Sequence, residues 1–514
     1  LCLRCHSPRG WTGGRSDPVN ASELESLDFD GVVCETCHKQ IDPFFEDTFA
    51  GVRDGNDWLG YWDETDASGT PSSTAAAATL VADRTAADTM SFFNGTGFYD
   101  ASYQPVPAGY TEAGAGQYFL SNEADRRAPF ADANATHSML YSRIHKSRQF
   151  CGSCHDVSNP VLVNLPHASL APGDGVTELP SETQAAHSYG HVERTFSEFM
   201  LSDYALGAGA PGMGPYDPTV FATSRPNNWI ASCQDCHMPD YVGAGANKSS
   251  ALIRPTESVE HPKSGQPMHD LMGGNTWVGW LLASAVPGSP NHSPGNQALL
   301  DQGPAVLTLD LSLGEGVRAD ELLDAVDRAW VNLQQAASIE GASYDGATGA
   351  LDFRVQNQTG HKLISGYPEG RRMFLNVRAY TDGVLSHEVN PYDDVVGTLR
   401  GLDTSYSPSS PTLGAAEEYR DELVYEVFSS SSLTGESHTF HMALATERYK
   451  DNRIPPPGFR IGEAASRMVE PVWAGSPMPA YFTAAEYAGG YDAVQLTLPA
   501  GATGVVVSLY YQAT

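Results

Sequence analysis

Cationic side chains are scarce in this 514-residue chain: 30 Lys and Arg stand against 62 Asp and Glu, a formal net charge of -32. So acidic a surface repels phosphate backbones and anionic lipid, which argues against nucleic acid as a partner. Long apolar runs are also missing. The most apolar stretch, Trp277 to Val286, falls short of the roughly 18 residues that a membrane span requires. No P-loop, G-x-S-x-G or H-E-x-x-H motif occurs, so the phosphate-cradling, nucleophile-elbow and zinc-hydrolase arrangements find no support. The G-x-G-x-x-G at Gly207 to Gly212 contains Pro211 and follows no strand pattern, and it reads as a loop. Asp54-Gly55-Asn56-Asp57 does not have EF-hand spacing, so no calcium site is expected there.

Cysteine is sparse as well, at eight residues, and none is left over. The eight form four C-x-x-C-H units: Cys2-Cys5-His6, Cys34-Cys37-His38, Cys151-Cys154-His155 and Cys233-Cys236-His237. This spacing is read as covalent c-type haem attachment. Two thiols add to the two vinyl groups on one edge of a porphyrin, and the adjacent imidazole then lies under the iron as its proximal ligand. Zinc would need paired C-x-x-C units converging on one tetrahedral ion, whereas here each pair carries its own His and the gaps are irregular. A thioredoxin-like reading lacks the surrounding βαβ pattern. Four haem c groups are therefore expected, held by the eight cysteines, with His6, His38, His155 and His237 on the iron.

Covalent haem attachment takes place outside the cytoplasmic membrane, so a periplasmic or extracellular location is expected. The chain opens at Leu1 without Met and without a signal-peptide pattern, which reads as a mature or trimmed chain. Six N-x-[ST] sequons, among them Asn20 and Asn357, are compatible with surface glycosylation but decide little.

The length allows two to four domains. Residues 1 to about 60 carry two motifs joined by turn chemistry, so haems must form much of the core there. A helix is expected near Ser73 to Thr85, and another from Glu193 to Ala205. Asp320 caps a third, running to about Ala337, whose Leu322, Val326, Ala329, Leu333 and Ala337 share one face. After Gly341 the period becomes two: Leu351, Phe353 and Val355 alternate with Asp352, Arg354 and Gln356, and similar alternation recurs at 373–379, 494–498 and 505–511. The fold class read from this is mixed: a mostly irregular and helical tetrahaem domain (1–300), a linker with one helix (301–340), and an all-β antiparallel sandwich (341–514).

Four proximal histidines leave 12 of the 16 for the opposite faces. His137 and His145 lie eight apart ahead of Cys151 in a segment that reads as potentially helical, and both are candidates. His187 and His191, ahead of the Glu193 helix, are the rivals. His167, His261, His292 and His387 read as surface or hydrogen-bonded residues. His438 and His441 are left unassigned.

Four passages resemble the bacterial and archaeal multihaem c-type cytochromes that carry electrons outside the cytoplasmic membrane. They are D-F-D-G-V-V-C-E-T-C-H at 28–38, Y-S-R-I-H-K-S-R-Q-F-C-G-S-C-H-D-V-S-N-P at 141–160, C-Q-D-C-H-M-P-D at 233–240 with the following H-D-L-M-G-G-N, and T-G-H-K-L-I-S-G-Y-P-E-G-R-R at 359–372. The resemblance covers residues 1 to about 275 and the start of the β region. It implies that His269 and His361 are distal ligands, so that the C-terminal domain contributes a haem ligand. It also implies electron transfer through bis-histidine haems and not enzymatic turnover, with other cytochromes or copies of itself as partners, in an extracellular filament for instance. Asp156 and Asp270 are candidate carboxylates behind ligating imidazoles. The alternative is a multihaem oxidoreductase acting on a small inorganic substrate at one open iron. A third is a surface-binding role for the β domain.

Overall fold

The longer strands begin close to where the hydrophobic period changes. A computed structural model of the chain describes residues 2–17, 22–41, 73–91, 97–103, 105–106, 112–130, 133–158, 191–223, 225, 227–255, 265–301, 317–367, 369–403, 407 and 409–513. The described residues fall into two compact units, one made of those within 2–154 and 206–335, the other of those within 155–158, 191–205 and 336–513. This differs from the three consecutive pieces expected at 1–300, 301–340 and 341–514. The helix Ala319–Gln335 belongs to the first unit, because Val326 and Ala329 are buried and the helix packs on Val278–Ser284. Close approach is possible there because Gly279 faces Val326; a Cβ at Gly279 would sit 3.2 Å from Val326 Cγ2.

In the first unit the elements are short. The helix Ser73–Ala87 is its longest element before residue 278, and Ile41 and Ala87 anchor a small cluster with Leu80, Met90, Tyr99 and Phe119. Strand Arg126–Ala128 pairs in parallel with Met139–Tyr141. The segment expected to be helical between His137 and His145 is thus a strand followed by the 3-10 turn Arg143–Lys146. Lys146 and Arg254 lie 4.5 and 3.7 Å from the ring centre of Phe130, which gives this unit a cation-rich wall.

The second unit holds the longer sheets. Ala350–Asn357 is the centre of three antiparallel strands, between Ala337–Asp345 and Tyr491–Thr497. Its Leu351, Phe353 and Val355 are buried, while Asp352 and Arg354 are exposed, as period two requires. The eleven-residue strand Arg371–Thr381 organises the larger sheet. Gly504–Ala513 pairs along nearly its whole length, and on the other edge Val424–Ser430 and Val384–Val389 each take part of it. Met373, Leu375, Val377 and Ala379 join the three-stranded sheet's Leu351, Phe353, Val355, Val494 and Leu496 in one apolar cluster. The opposite face is also covered: Phe374 packs with Leu399, Leu402 and Val424. Both faces of that strand are buried, so its sequence alternates less than that of an edge strand.

The helix expected over Glu193–Ala205 is shorter. His191–Glu193 is a strand paired with Val157–Ser158, and the helix occupies only Thr195–Met200. No helix among the described residues is long and apolar enough to cross a membrane.

Candidate haem-ligating site

A single helical turn is the unit from which the site is built. Cys2–His6, Cys34–His38 and Cys233–His237 are each one turn of α-helix, and positions i, i+3 and i+4 of a helix share a face. Both thiols and the imidazole of each motif therefore lie on one side. In the third motif Cys151 is the next-to-last residue of the short helix Arg148–Gly152, and Cys154 and His155 follow in a turn. Local chemistry fixes these turns. Asp235, inside the fourth motif, accepts the backbone N–H of Ala231 (2.8 Å) and Ser232 (2.9 Å) in a capping box, with Arg225 3.5 Å away. Ser147 caps the third-motif helix by accepting from Gln149 N, and Gln234 Nε2 donates to the carbonyls of His145 and Ser147.

The cysteines of the second, third and fourth motifs are neighbours. The Cys151 thiol hydrogen-bonds with that of Cys233, which together with burial raises its pKa well above the ordinary thiol value. Burial pushes the Cys37 thiol up to about 11, with Cys154 and Cys34 adding to the effect. Among the described residues no three His, Cys, Asp or Glu side chains form a metal cage.

Around the second motif three imidazoles meet. His38 directs Nδ1 to the carbonyl of Arg127 at 2.6 Å, which leaves Nε2 for a metal. Arg127 is itself fully buried, donating to Asp83 of the 73–87 helix. The ring of His269 has its centroid 6.1 Å from that of His38, at 35°. With a metal–nitrogen bond of about 2 Å and roughly 1.1 Å more from nitrogen to ring centre, two imidazoles across one iron have centroids about 6 Å apart. The His269 loop is held from the fourth motif: His237 directs Nδ1 to the Met272 carbonyl (2.7 Å), and the N–H groups of Met268 and Leu271 donate to the carbonyls of Pro239 and His237. His145 stacks on His38 at 5.3 Å, but its Nε2 lies 2.9 Å from the Cys37 carbonyl and its Nδ1 has no partner. Burial and the neighbouring His38 push the His145 imidazole down to about 3, so it stays neutral. A cavity of about 150 Å³ opens beside these rings, lined by His38, His145, His269, Phe130, Lys146 and Arg254. Paired thiols on helical turns, an imidazole beside each pair and this ring spacing fit haem c.

In the second unit His361 is half-buried, with its loop clamped from several sides. Asn357 Nδ2 and Thr359 Oγ1 donate to the His361 carbonyl at 2.7 and 2.9 Å. The next residue, Lys362, places Nζ 3.1 Å from Asp451, both fully buried. Glu198 accepts from Lys362 N (3.1 Å) and Ser365 Oγ (2.6 Å) and pairs with Arg453 at 2.7 Å, and Arg453 also holds Asp451 at 3.0 Å. Burial alone would raise the Asp451 carboxyl, but Arg453, Lys362 and Arg448 outweigh it and hold it far below the usual range. His191 is buried, with Nε2 unpartnered. Burial, with Arg448, Arg194 and Arg453 adding, drives its pKa far down.

The remaining expected residues are placed as follows. His6 is exposed on the first motif's turn, and His137 is exposed ahead of Met139–Tyr141. Asp156, expected behind a ligating imidazole, is instead bound by Ser197 (2.9 Å) and Arg194 (3.6 Å), and Asp270 is bound by Arg328 (2.7 Å). His292 contacts Gln297 and His387 contacts Glu418. His438 and His441 lie off any strand. His167, His187 and His261 lie outside the described residues. Sequence reasoning missed Glu198, Asp451 and Arg453. None of them lies at motif spacing from a histidine, so no local signal marks them.

No family model matches the chain, and no curated protein matches it. Among solved structures it is similar to a penta-heme cytochrome c552 from Thermochromatium tepidum, at 13% identity and a TM-score of 0.40, over 99% of this chain and 76% of that one.

Proposed function

We propose that this chain is a tetrahaem c-type cytochrome that moves electrons outside the cytoplasm. Its eight cysteines hold four haems, and His6, His38, His155 and His237 are the proximal ligands. The observation that supports the reading is the neighbouring pair His38 and His269: one imidazole from a C-x-x-C-H turn, one from a distant loop, with centroids 6.1 Å apart. Each iron would supply a one-electron Fe(III)/Fe(II) couple. What the chain itself would contribute is to keep His145 neutral, turn Nδ1 of His38 and His237 to main-chain carbonyls and supply a second imidazole to each iron, so that electrons pass and small molecules do not bind. Neighbouring thiols of the second, third and fourth motifs support close spacing of the groups they carry.

His145, His361 and His137 remain the other candidate distal ligands. The two packed sheets after residue 336 are read as an antiparallel sandwich whose clamped 359–365 loop presents His361. Partners of matching chemistry are other cytochromes or further copies of this chain, in a filament for instance, and the setting is periplasmic or extracellular. An optical and electron-paramagnetic-resonance spectrum of the ferric protein tests the function. All-low-spin iron, unmoved by cyanide or nitrite, is expected. A high-spin band that shifts on adding either anion would replace this reading with a substrate-binding oxidoreductase.

A further inference from the structure

The edge of a β-sheet carries unpaired backbone N–H and C=O groups, and folded proteins blunt such edges with charge, proline or irregular pairing. The second unit does so at its other sheet ends. Ala337–Asp345 carries Glu340 and a register shift, and Tyr491–Thr497 carries Asp492. The larger sheet ends in Glu417–Glu418 on one side and Ser476–Pro477 on the other. Gly504–Ala513 is different. It runs for ten residues, G-V-V-V-S-L-Y-Y-Q-A, with no charge and no proline. Among the described residues its one strand neighbour is Arg371–Thr381, and its backbone makes no other hydrogen bond there.

Both faces of this strand are left incomplete. Inward, Val505, Val507, Leu509 and Tyr511 pack on the apolar cluster yet stay only partly buried, whereas their register partners Ala379, Val377, Leu375 and Met373 are buried. Outward, Val506 and Tyr510 are each 43% exposed. The sequence is symmetric in character about Ser508: Val507 balances Leu509, Val506 balances Tyr510 and Val505 balances Tyr511. A two-fold axis at Ser508 therefore pairs the strand antiparallel with itself, each residue opposite one of the same face. Val then meets Tyr on both faces, and such cross-strand pairs are favourable. Charge points to the same occupant. A net charge of -32 sets copies of this chain against one another over most of their surface, and this uncharged strip is where two can approach.

We propose that Gly504–Ala513 is a docking edge for a second copy of this chain, joined strand to strand about a two-fold axis at Ser508. The larger sheet then runs through both copies, and the outward N–H and C=O groups of 504–512 pair across the axis. The contact is isologous and closes on itself, so it makes a dimer and not a filament. It does not depend on the haem reading.

The test uses the full haem-loaded chain. Sedimentation over a range of concentrations should show a monomer–dimer equilibrium, with the amides of 504–512 slow to exchange in the dimer and fast after dilution. Ser508→Lys sets two ammonium groups opposite each other at the axis. It is expected to raise the dimer Kd about tenfold or more, with the circular dichroism of the monomer unchanged. Ser508→Cys should give a disulfide-linked dimer on mild oxidation, because facing residues of an antiparallel pair have Cα atoms about 4.5–5.5 Å apart, within disulfide reach. Ser476→Cys, on another exposed edge, should not. A monomer at every concentration, a dimer that Ser508→Lys leaves intact, or equal linkage through the two cysteines would overturn the proposal. So would slow exchange over 504–512 in a monomer, which would assign the edge to a segment of the same chain such as L-T-L-D-L-S-L at 307–313.

Discussion

Replacing His269 by Gly removes one of the two imidazoles whose centroids lie 6.1 Å apart and, if the two share an iron, leaves that iron with an open face. His38 itself keeps its Nδ1 contact to the Arg127 carbonyl, so attachment at Cys34 and Cys37 is untouched. If four irons are present and one loses its sixth ligand, about a quarter of the ferric iron becomes high-spin. The cavity beside these rings, about 150 Å³, has room for a small ligand, since a single water takes roughly 30 Å³ of liquid volume. Free imidazole should therefore restore the low-spin state, and cyanide should bind the variant but not the parent. The assay is ferric electron paramagnetic resonance with and without imidazole, integrated against total iron. Retention of a fully low-spin spectrum in His269→Gly would refute the pairing. If His145→Gly gave the high-spin quarter instead, the ring stacked on His38 would be the true ligand despite its contact with the Cys37 carbonyl.

The clamp under His361 makes further predictions. Asp451 faces Lys362, Arg453 and Arg448 with all four side chains buried, so Asp451→Asn should cost about 3–5 kcal/mol. Lys362→Met leaves Asp451 its two arginines and should cost less than half as much; equal shifts in the urea midpoints would contradict the network. Burial raises the Asp492 carboxyl to about 6, although Tyr425 donates to it at 2.5 Å. A carboxyl raised in the folded state contributes its stability below its unfolded value near 4 and loses it as the pH rises through about 6. Asp492→Asn should therefore raise the thermal midpoint at pH 8, by up to ~3 kcal/mol in stability, and change little at pH 4; the opposite ordering would show that the carboxylate is stabilised in place. A Cβ at Gly360 would come within 2.8 Å of the Phe199 ring, so Gly360→Ala should destabilise by about 1–3 kcal/mol. If His361 binds iron, the same change should loosen that ligation, visible as a high-spin fraction that the Phe199→Leu double variant reduces.

What could be read from the chain is what depends on neighbours in sequence. The C-x-x-C-H turns are local, and their spacing alone brings thiols and imidazole to one face. The amphipathic helix at Ala319–Gln335 and the alternation of Leu351, Phe353 and Val355 are legible for the same reason. The helix expected at Glu193 was cut short because Val157–Ser158 recruits His191–Glu193 as a strand, a preference set by a partner more than thirty residues away. The pairing of His38 with His269 spans most of the first unit, and the Glu198, Arg453, Asp451 and Lys362 network joins three separate stretches of chain. Acidic residues are abundant in this sequence, so nothing in it marks Glu198 and Asp451 apart from the others. Asp156, beside His155 in sequence, was the natural expectation until Arg194 and Ser197 claimed it.

Everything functional here depends on haem bonded covalently at the four cysteine pairs. The most direct test is the mass of the purified chain after denaturation, read together with its iron content. The polypeptide plus four haems, with four irons per chain and pigment that acid-acetone does not extract, is the result expected. A denatured mass equal to the bare polypeptide, or pigment that leaves the protein in acid-acetone, would contradict it.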